Sequence, residues 1–209
     1  MRPTRRRTTA NNEFPTEYYG VELEWQTNFS YLPGAFRGLV LNANYTRSWS
    51  ETTYRTVRSE LEYVFIDEDG NSCGRFPCSV EASLVDTTRT GRMPGQASHI
   101  ANVTLGYDFK GFSARLSYLF QSNTAAWINP TNPLLDEFVG DYSRLDLSVR
   151  QAVGNGLEVF ANLNNLNNRP DQRYTGLEVP VAARTYSADY LRYRELYGFT
   201  ADVGVRFRL

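Results

Sequence analysis

The chain has 209 residues, with 22 Lys and Arg against 23 Asp and Glu and a formal net charge of -1. A balance this close to neutral gives no electrostatic reason to expect a nucleic-acid partner. No apolar run reaches the roughly 18 residues a membrane helix needs, but strands that alternate apolar and polar side chains can cross a bilayer without one, and the mean hydropathy of -0.47 suits either a soluble chain or such a barrel.

The N-terminus is basic at Arg5, Arg6 and Arg7 and lacks the apolar stretch of a signal peptide. Residues 1–17 are expected to be a polar, solvated loop remnant. Residues 18–209 form one domain of recurring period-two patterning. From Tyr19 to Tyr31 one face carries Tyr19, Val21, Leu23, Trp25, Thr27, Phe29 and Tyr31, and the other carries Glu22, Glu24, Gln26 and Asn28. Successive strand side chains point to opposite faces, so this segment has one apolar and one polar wall. The same split recurs at Leu39–Thr46, Ala101–Phe109, Phe112–Gln121, Arg144–Arg150, Leu157–Asn164 and Tyr197–Leu209. None of these apolar faces contains Asp, Glu, Lys or Arg, as lipid contact requires and a soluble core would also require.

The connections discriminate further. Leu32-Pro33-Gly34-Ala35, Lys110-Gly111 and Ala152–Gly156 are short turns. The connections near 48–98, 122–141 and 167–195 are long. Strict alternation of short and long connections matches outer-membrane barrels, with short periplasmic turns and long extracellular loops. Tyr19, Tyr45, Trp49, Tyr118, Phe120, Tyr197 and Phe199 fall at the long-loop ends, and Phe29, Tyr31, Tyr107, Phe109, Phe112 and Phe207 at the short-turn ends. That distribution predicts two aromatic girdles around a band of Val, Leu and Ala. Within the first long connection, Tyr54–Ile66 and Ser79–Val85 are rich in strand formers and are expected to pair as a hairpin extending past the membrane. Cys73 and Cys78 would lie near its tip. With His99 the sole histidine, their spacing fits a local disulfide better than a metal site. No metal or cofactor is expected.

Two motifs carry a resemblance. Asn164-Asn165-Leu166-Asn167-Asn168-Arg169 resembles a sequence near the C-terminus of TonB-dependent outer-membrane receptors. The ending Asp202-Val203-Gly204-Val205-Arg206-Phe207-Arg208-Leu209 resembles the barrel-assembly signal of outer-membrane proteins, carried here by Asp202, Gly204, Phe207 and Leu209. The asparagines also suit a strand end, because Asn favours turns and tolerates left-handed backbone.

The resemblance implies an all-β, antiparallel transmembrane barrel segment in the outer membrane, and a transporter rather than an enzyme. Such receptors import scarce nutrients of the siderophore, cobalamin or glycan classes, driven by an inner-membrane energy-coupling complex acting through a plug. Their barrels have about 22 strands. Seven membrane strands are read here, so the chain is expected to be a fragment whose partners are lipid, the plug, the remaining strands and the outer-membrane assembly machinery. Glu22, Glu24, Arg115, Arg144, Asp146, Glu158, Asp202, Arg206 and Arg208 on the polar face are expected to hold the plug or line its water layer. Substrate contacts are assigned to the long loops, at Trp127, Tyr174, Arg184, Tyr186, Tyr190 and Arg192. Two rival readings stand beside this one. The first is a small complete barrel with an eighth strand near Asp171–Val181. The second is a soluble carbohydrate-binding sandwich.

Overall fold

Alternating side chains and tight turns make strands, and strands are nearly all that the described residues form. A computed structural model describes residues 12–66, 69–130, 132–154, 156–176 and 190–207. The strands are β1 (Thr16–Asn28), β2 (Leu39–Val64), β3 (Ser79–Gly91), β4 (His99–Phe109), β5 (Phe112–Gln121), β6 (Thr124–Trp127), β7 (Glu137–Val139), β8 (Tyr142–Gly154), β9 (Leu157–Asn164), β10 (Pro170–Thr175), β11 (Tyr190–Leu196) and β12 (Thr200–Phe207). One sheet, the wall, runs β1-β2-β4-β5-β8-β9-β12, with β3 paired to the far half of β2. A second sheet has the order β11-β10-β7-β6. Every pairing among the described residues is antiparallel, and β1 and β12 do not pair with each other, so the wall is open.

The seven wall strands coincide with the seven patterned segments, and their register matches like with like. Trp25 faces Ala43, Ala43 faces Val103, and Val103 faces Tyr118. Tyr118 then faces Leu145, while Leu147 faces Leu163 and Leu163 faces Ala201. Residues paired across a ladder share a face, so the apolar sides merge into one surface across all seven strands. The polar sides merge likewise. Asn102 donates to Asn44 (2.7 Å), Thr104 and Ser117 share a hydrogen bond of 3.0 Å, and Ser148 donates to Asn162 (2.7 Å).

Among the described residues nothing covers the apolar surface. Ala97 and Ala125 are the buried apolar residues among those described, and no large side chain is fully buried. Leu23, Leu105 and Val203 are 63%, 50% and 76% exposed. Leaving such side chains in water forfeits roughly 1.5–3 kcal/mol each. A soluble sandwich would cover this side with a second sheet, which is absent among the described residues. A single layer with one apolar side is instead the geometry of a barrel wall in lipid.

The turns explain the register. Lys110 and Gly111 take φ of 50° and 81° in the two-residue turn joining β4 and β5, the pair of positive values that lets a tight hairpin follow strand twist. After β1, the Asn28 side chain accepts from the Ser30 N–H (3.2 Å), and Leu32 N–H donates to Phe29 O (2.9 Å). This local bonding ends the strand at Asn28, so Phe29 to Tyr31 belong to a turn and not to the strand as the alternation suggested. A 3-10 turn, Gly34–Gly38, leads into β2.

Three further boundaries differ from the sequence reading. The hairpin expected within 48–98 is present, but its first strand is not separate from the membrane strand: β2 runs unbroken from Leu39 to Val64 and pairs with β3. At roughly 3.3 Å per residue, 26 residues reach about 85 Å, far more than the roughly 9–11 residues a bilayer strand needs. The connections at 122–141 and 167–195 hold β6, β7, β10 and β11. Pro170–Thr175 therefore joins the second sheet and supplies no eighth strand to the wall. The final strand is Thr200–Phe207, since Gly198 at φ 74° breaks the chain between β11 and β12. Arg208 and Leu209 lie outside the described residues.

Candidate functional site

The second sheet is held on the polar side of the wall. Ser48, Ser50, Thr52, Tyr54 and Thr56 continue the side of β2 that carries Asn42, Asn44 and Thr46, because neither ladder along β2 shifts register. These residues hold the β3–β4 connection, whose Gly95 N–H donates to Ala125 O of β6 (2.8 Å), and the segment ahead of β7. Ser48 Oγ donates to Ala97 O (2.7 Å) and accepts from Gln96 Nε2 (2.8 Å). Ser50 Oγ donates to the Gln96 side chain, and Thr56 Oγ1 to Pro130 O. Tyr54 Oη donates to Arg92 O (2.7 Å), and burial pushes its phenol above the usual tyrosine range.

Arg89, the register partner of Tyr54, reaches from β3 to the second sheet. Its two terminal nitrogens donate to Asp136 Oδ2 and Oδ1 at 2.7 and 2.6 Å, and one also donates to Asn129 O (2.9 Å). Asp136 is only 4% exposed. Its carboxylate also accepts from Asn129 N–H (2.7 Å), while its carbonyl accepts from Gly176 N–H (3.1 Å). A bidentate arginine–carboxylate pair with this many supporting bonds fixes orientation as well as position. The sequence reading missed Arg89, Asn129 and Asp136. Their association spans up to 47 residues, and only the loop chemistry around Pro130 marked the neighbourhood.

On the second sheet, register places Trp127, Glu137, Thr175 and Tyr190 in one cross-strand row. Arg192 forms an ion pair with Glu137. Three predicted loop contacts, Trp127, Tyr190 and Arg192, are therefore brought together. Trp127 and Tyr190 are exposed. Tyr174 falls in the neighbouring row with Phe138, Ala125 and Leu191, and its hydroxyl donates to Gln172 Oε1 (2.9 Å). Arg184 and Tyr186 lie outside the described residues.

The asparagine motif ties strands together at the same end of the wall. Asn165 and Asn168 have φ of 57° and 45°, the left-handed backbone Asn accepts most readily. Asn165 Nδ2 donates to Gly198 O (2.6 Å), and its Oδ1 accepts from Arg169 N–H (3.0 Å). Leu166 N–H donates to Leu145 O (2.8 Å), and Asn164 Nδ2 reaches Thr200 Oγ1 (3.4 Å). The Arg169 guanidinium lies 4.3 Å from the Tyr142 ring and donates to Asp141 O. The motif thus bonds β8 and β9 to the start of β12.

At the other end, Gly204 is paired with Phe160, and a Cβ added there would sit 2.5 Å from the ring's Cζ. Asp202 pairs with Asn162 and Phe207 with Leu157. On the polar side Arg115 pairs with Asp108 (2.5 Å), Arg144 with Asp146 (2.8 Å) and Arg206 with Glu158 (3.0 Å). Glu22, Glu24 and Asp202 have no ion pair among the described residues. Beyond the membrane, Cys73 and Cys78 form a disulfide at the tip of the β2–β3 hairpin, with Cα atoms 5.3 Å apart.

An antiparallel wall with one apolar and one polar side, short turns at one end and built loops at the other, is a segment of a transmembrane β-barrel. The chain matches the family described as TonB dependent receptor-like, beta-barrel over residues 3–166, and it belongs to that family. This is a family of outer-membrane receptors and transporters of Gram-negative bacteria, not of enzymes. The match takes in β1 through β9 and stops before Asn168, Arg169 and β12. No curated protein and no solved structure matches the chain.

Proposed function

We propose that this chain is the C-terminal wall of a larger plugged barrel that takes up a scarce nutrient of the siderophore, cobalamin or glycan class. Energy would come from an inner-membrane complex acting through the plug. The observation that carries the reading is the second sheet, anchored through Asp136 on the polar side of the wall. In this reading Trp127, Tyr190, Arg192 and Glu137, which that sheet brings together, would meet a ligand entering the barrel. The two open edges support closure by further strands, because lipid does not tolerate unpaired backbone. Glu22, Glu24 and Asp202 leave the wall with acidic groups to be matched by basic or proton-donating groups of the plug. Arg115, Arg144 and Arg206 are already paired within it. The asparagine motif and Gly204 with Phe207 serve assembly of the wall in this reading, and the disulfide stiffens the hairpin.

The test is ligand binding by the full receptor that carries this chain, screened against ferric siderophores, cobalamin and oligosaccharides. Once a ligand is found, replacing Trp127, Tyr190 and Arg192 together by alanine should weaken binding at least tenfold and leave the barrel folded. Binding undiminished by that triple change would refute the assignment. Uptake that persists after the proton gradient is collapsed would refute energy coupling.

A further inference from the structure

We propose that Arg47, held by His99 on the lipid-facing side of the wall at its extracellular rim, binds the phosphate of an anionic lipid headgroup. The placement follows from register. Leu39, Leu41, Ala43 and Tyr45 line the apolar side of β2, and Arg47 is next on that side, ahead of Trp49. Arg47 pairs with Val21 of β1 and His99 of β4, both on the same side. A cation therefore follows directly on a face that carries no charge through the membrane band.

Its surroundings are those of an interface. Trp49 stacks on Tyr19 with ring centroids 5.4 Å apart, and the Arg47 guanidinium carbon lies 4.8 Å from the Trp49 ring. Trp and Tyr settle at headgroup level, which sets the depth of the arginine. One guanidinium nitrogen, Nη1, donates to His99 Nε2 and to Ser98 O (3.4 Å). His99 Nδ1 shares a hydrogen bond with Tyr45 Oη, 2.7 Å away. Tyr45 and His99 thus hold the guanidinium plane in place.

The other edge of the guanidinium is unused. Nε and Nη2 of Arg47 have no partner among the described residues, and no carboxylate pairs with it. This sets it apart from Arg89 and Arg115, each paired within the chain. Even Arg55, farther out on the same side of β2, pairs with Glu13. An unpaired cation against hydrocarbon is costly. At headgroup depth the same group meets phosphate, and a free Nε–Nη2 edge is the planar fork that takes two phosphate oxygens.

The test is lipid retention by the full receptor, reconstituted in phosphatidylcholine vesicles with and without phosphatidic acid. Retained lipid is read by native mass spectrometry after extraction in detergent. The receptor is expected to retain phosphatidic acid over phosphatidylcholine. Arg47→Gln should lower that retention roughly tenfold, the worth of a hydrogen-bonded charge, and Arg47→Lys should fall between, keeping the charge but losing the fork. Inorganic phosphate should not compete. Equal retention by Arg47→Gln and the unsubstituted receptor overturns the proposal. Displacement by inorganic phosphate also overturns it, by showing a site for free anions. If Arg47→Gln does not assemble, the unsubstituted receptor still decides, because no preference for phosphatidic acid overturns the proposal alone.

Discussion

The membrane wall and the cap above it are held together in opposite ways. The wall has backbone ladders, an uncovered apolar side and almost nothing buried. Its stability depends on a solvent that is not water. The cap, formed by the far half of β2 with β3, β6, β7 and β10, contains most of the buried polar residues, among them Thr52, Gln96, Thr124, Asn129, Asp136 and Thr175. It is a water-side structure organised by specific hydrogen bonds. In the wall, many interchangeable apolar side chains each contribute a little. In the cap, single residues such as Asp136 serve several partners at once, so the consequences of mutation should differ in kind.

The sharpest way to separate the two regions is Asp136→Asn. It leaves Arg89 without its counter-charge in a largely buried position, where breaking an ion pair costs about 3–5 kcal/mol. Hydrogen exchange should accelerate in β7 and β10, while the heat-modifiable unfolding of the barrel stays unchanged. Coupled loss of both would show that cap and wall are one cooperative unit. The complementary change is Leu105→Arg on the lipid side. A charge near the bilayer midplane costs roughly 2–4 kcal/mol, read as a lowered unfolding midpoint in lipid. Thr104→Arg, one residue away on the polar side, should cost much less.

A smaller effect is expected at Gly204, where a methyl group would press on the Phe160 ring. Gly204→Ala should cost about 1–3 kcal/mol of overpacking, and adding Phe160→Leu should recover part of it, because the two sites are in contact. A full additive loss in the double variant would contradict the packing account. The smallest effect belongs to the disulfide. Cys73 and Cys78 are five positions apart, and so short a loop gains about 2 kcal/mol from closure. Replacing both by serine should speed exchange at the hairpin tip and leave β4, β5 and β8 unaffected.

How far each region could be read from the sequence follows the same division. Strand alternation is a local property, so Val103, Leu105 and Tyr107 announce a face without reference to their partners. The alternation of turn lengths then gives antiparallel neighbours in order, and the open wall follows. Exact ends were lost where a local bond overrides the pattern, as at Asn28, or where one glycine breaks it, as at Gly198. The hairpin of β2 and β3 was legible from its strand formers. The second sheet was not, since β7 is three residues long and β6 four, too short for a period to show. Asp136 and Arg89 meet only through tertiary structure, and nothing in either neighbourhood marks the pair. The asparagine motif was visible as a resemblance, and the structure gives its physical reason in the two positive φ angles and the bonds from Asn165.

The central claim is that the two sides of the wall face different media. Spin labels placed one at a time from Asn102 to Tyr107 in the full receptor in lipid test it most directly. Labels at 103, 105 and 107 should be accessible to oxygen dissolved in the bilayer, and those at 102, 104 and 106 should be shielded from it, giving a period of two. Equal oxygen accessibility at all six positions, or a pattern of opposite phase, would contradict the account.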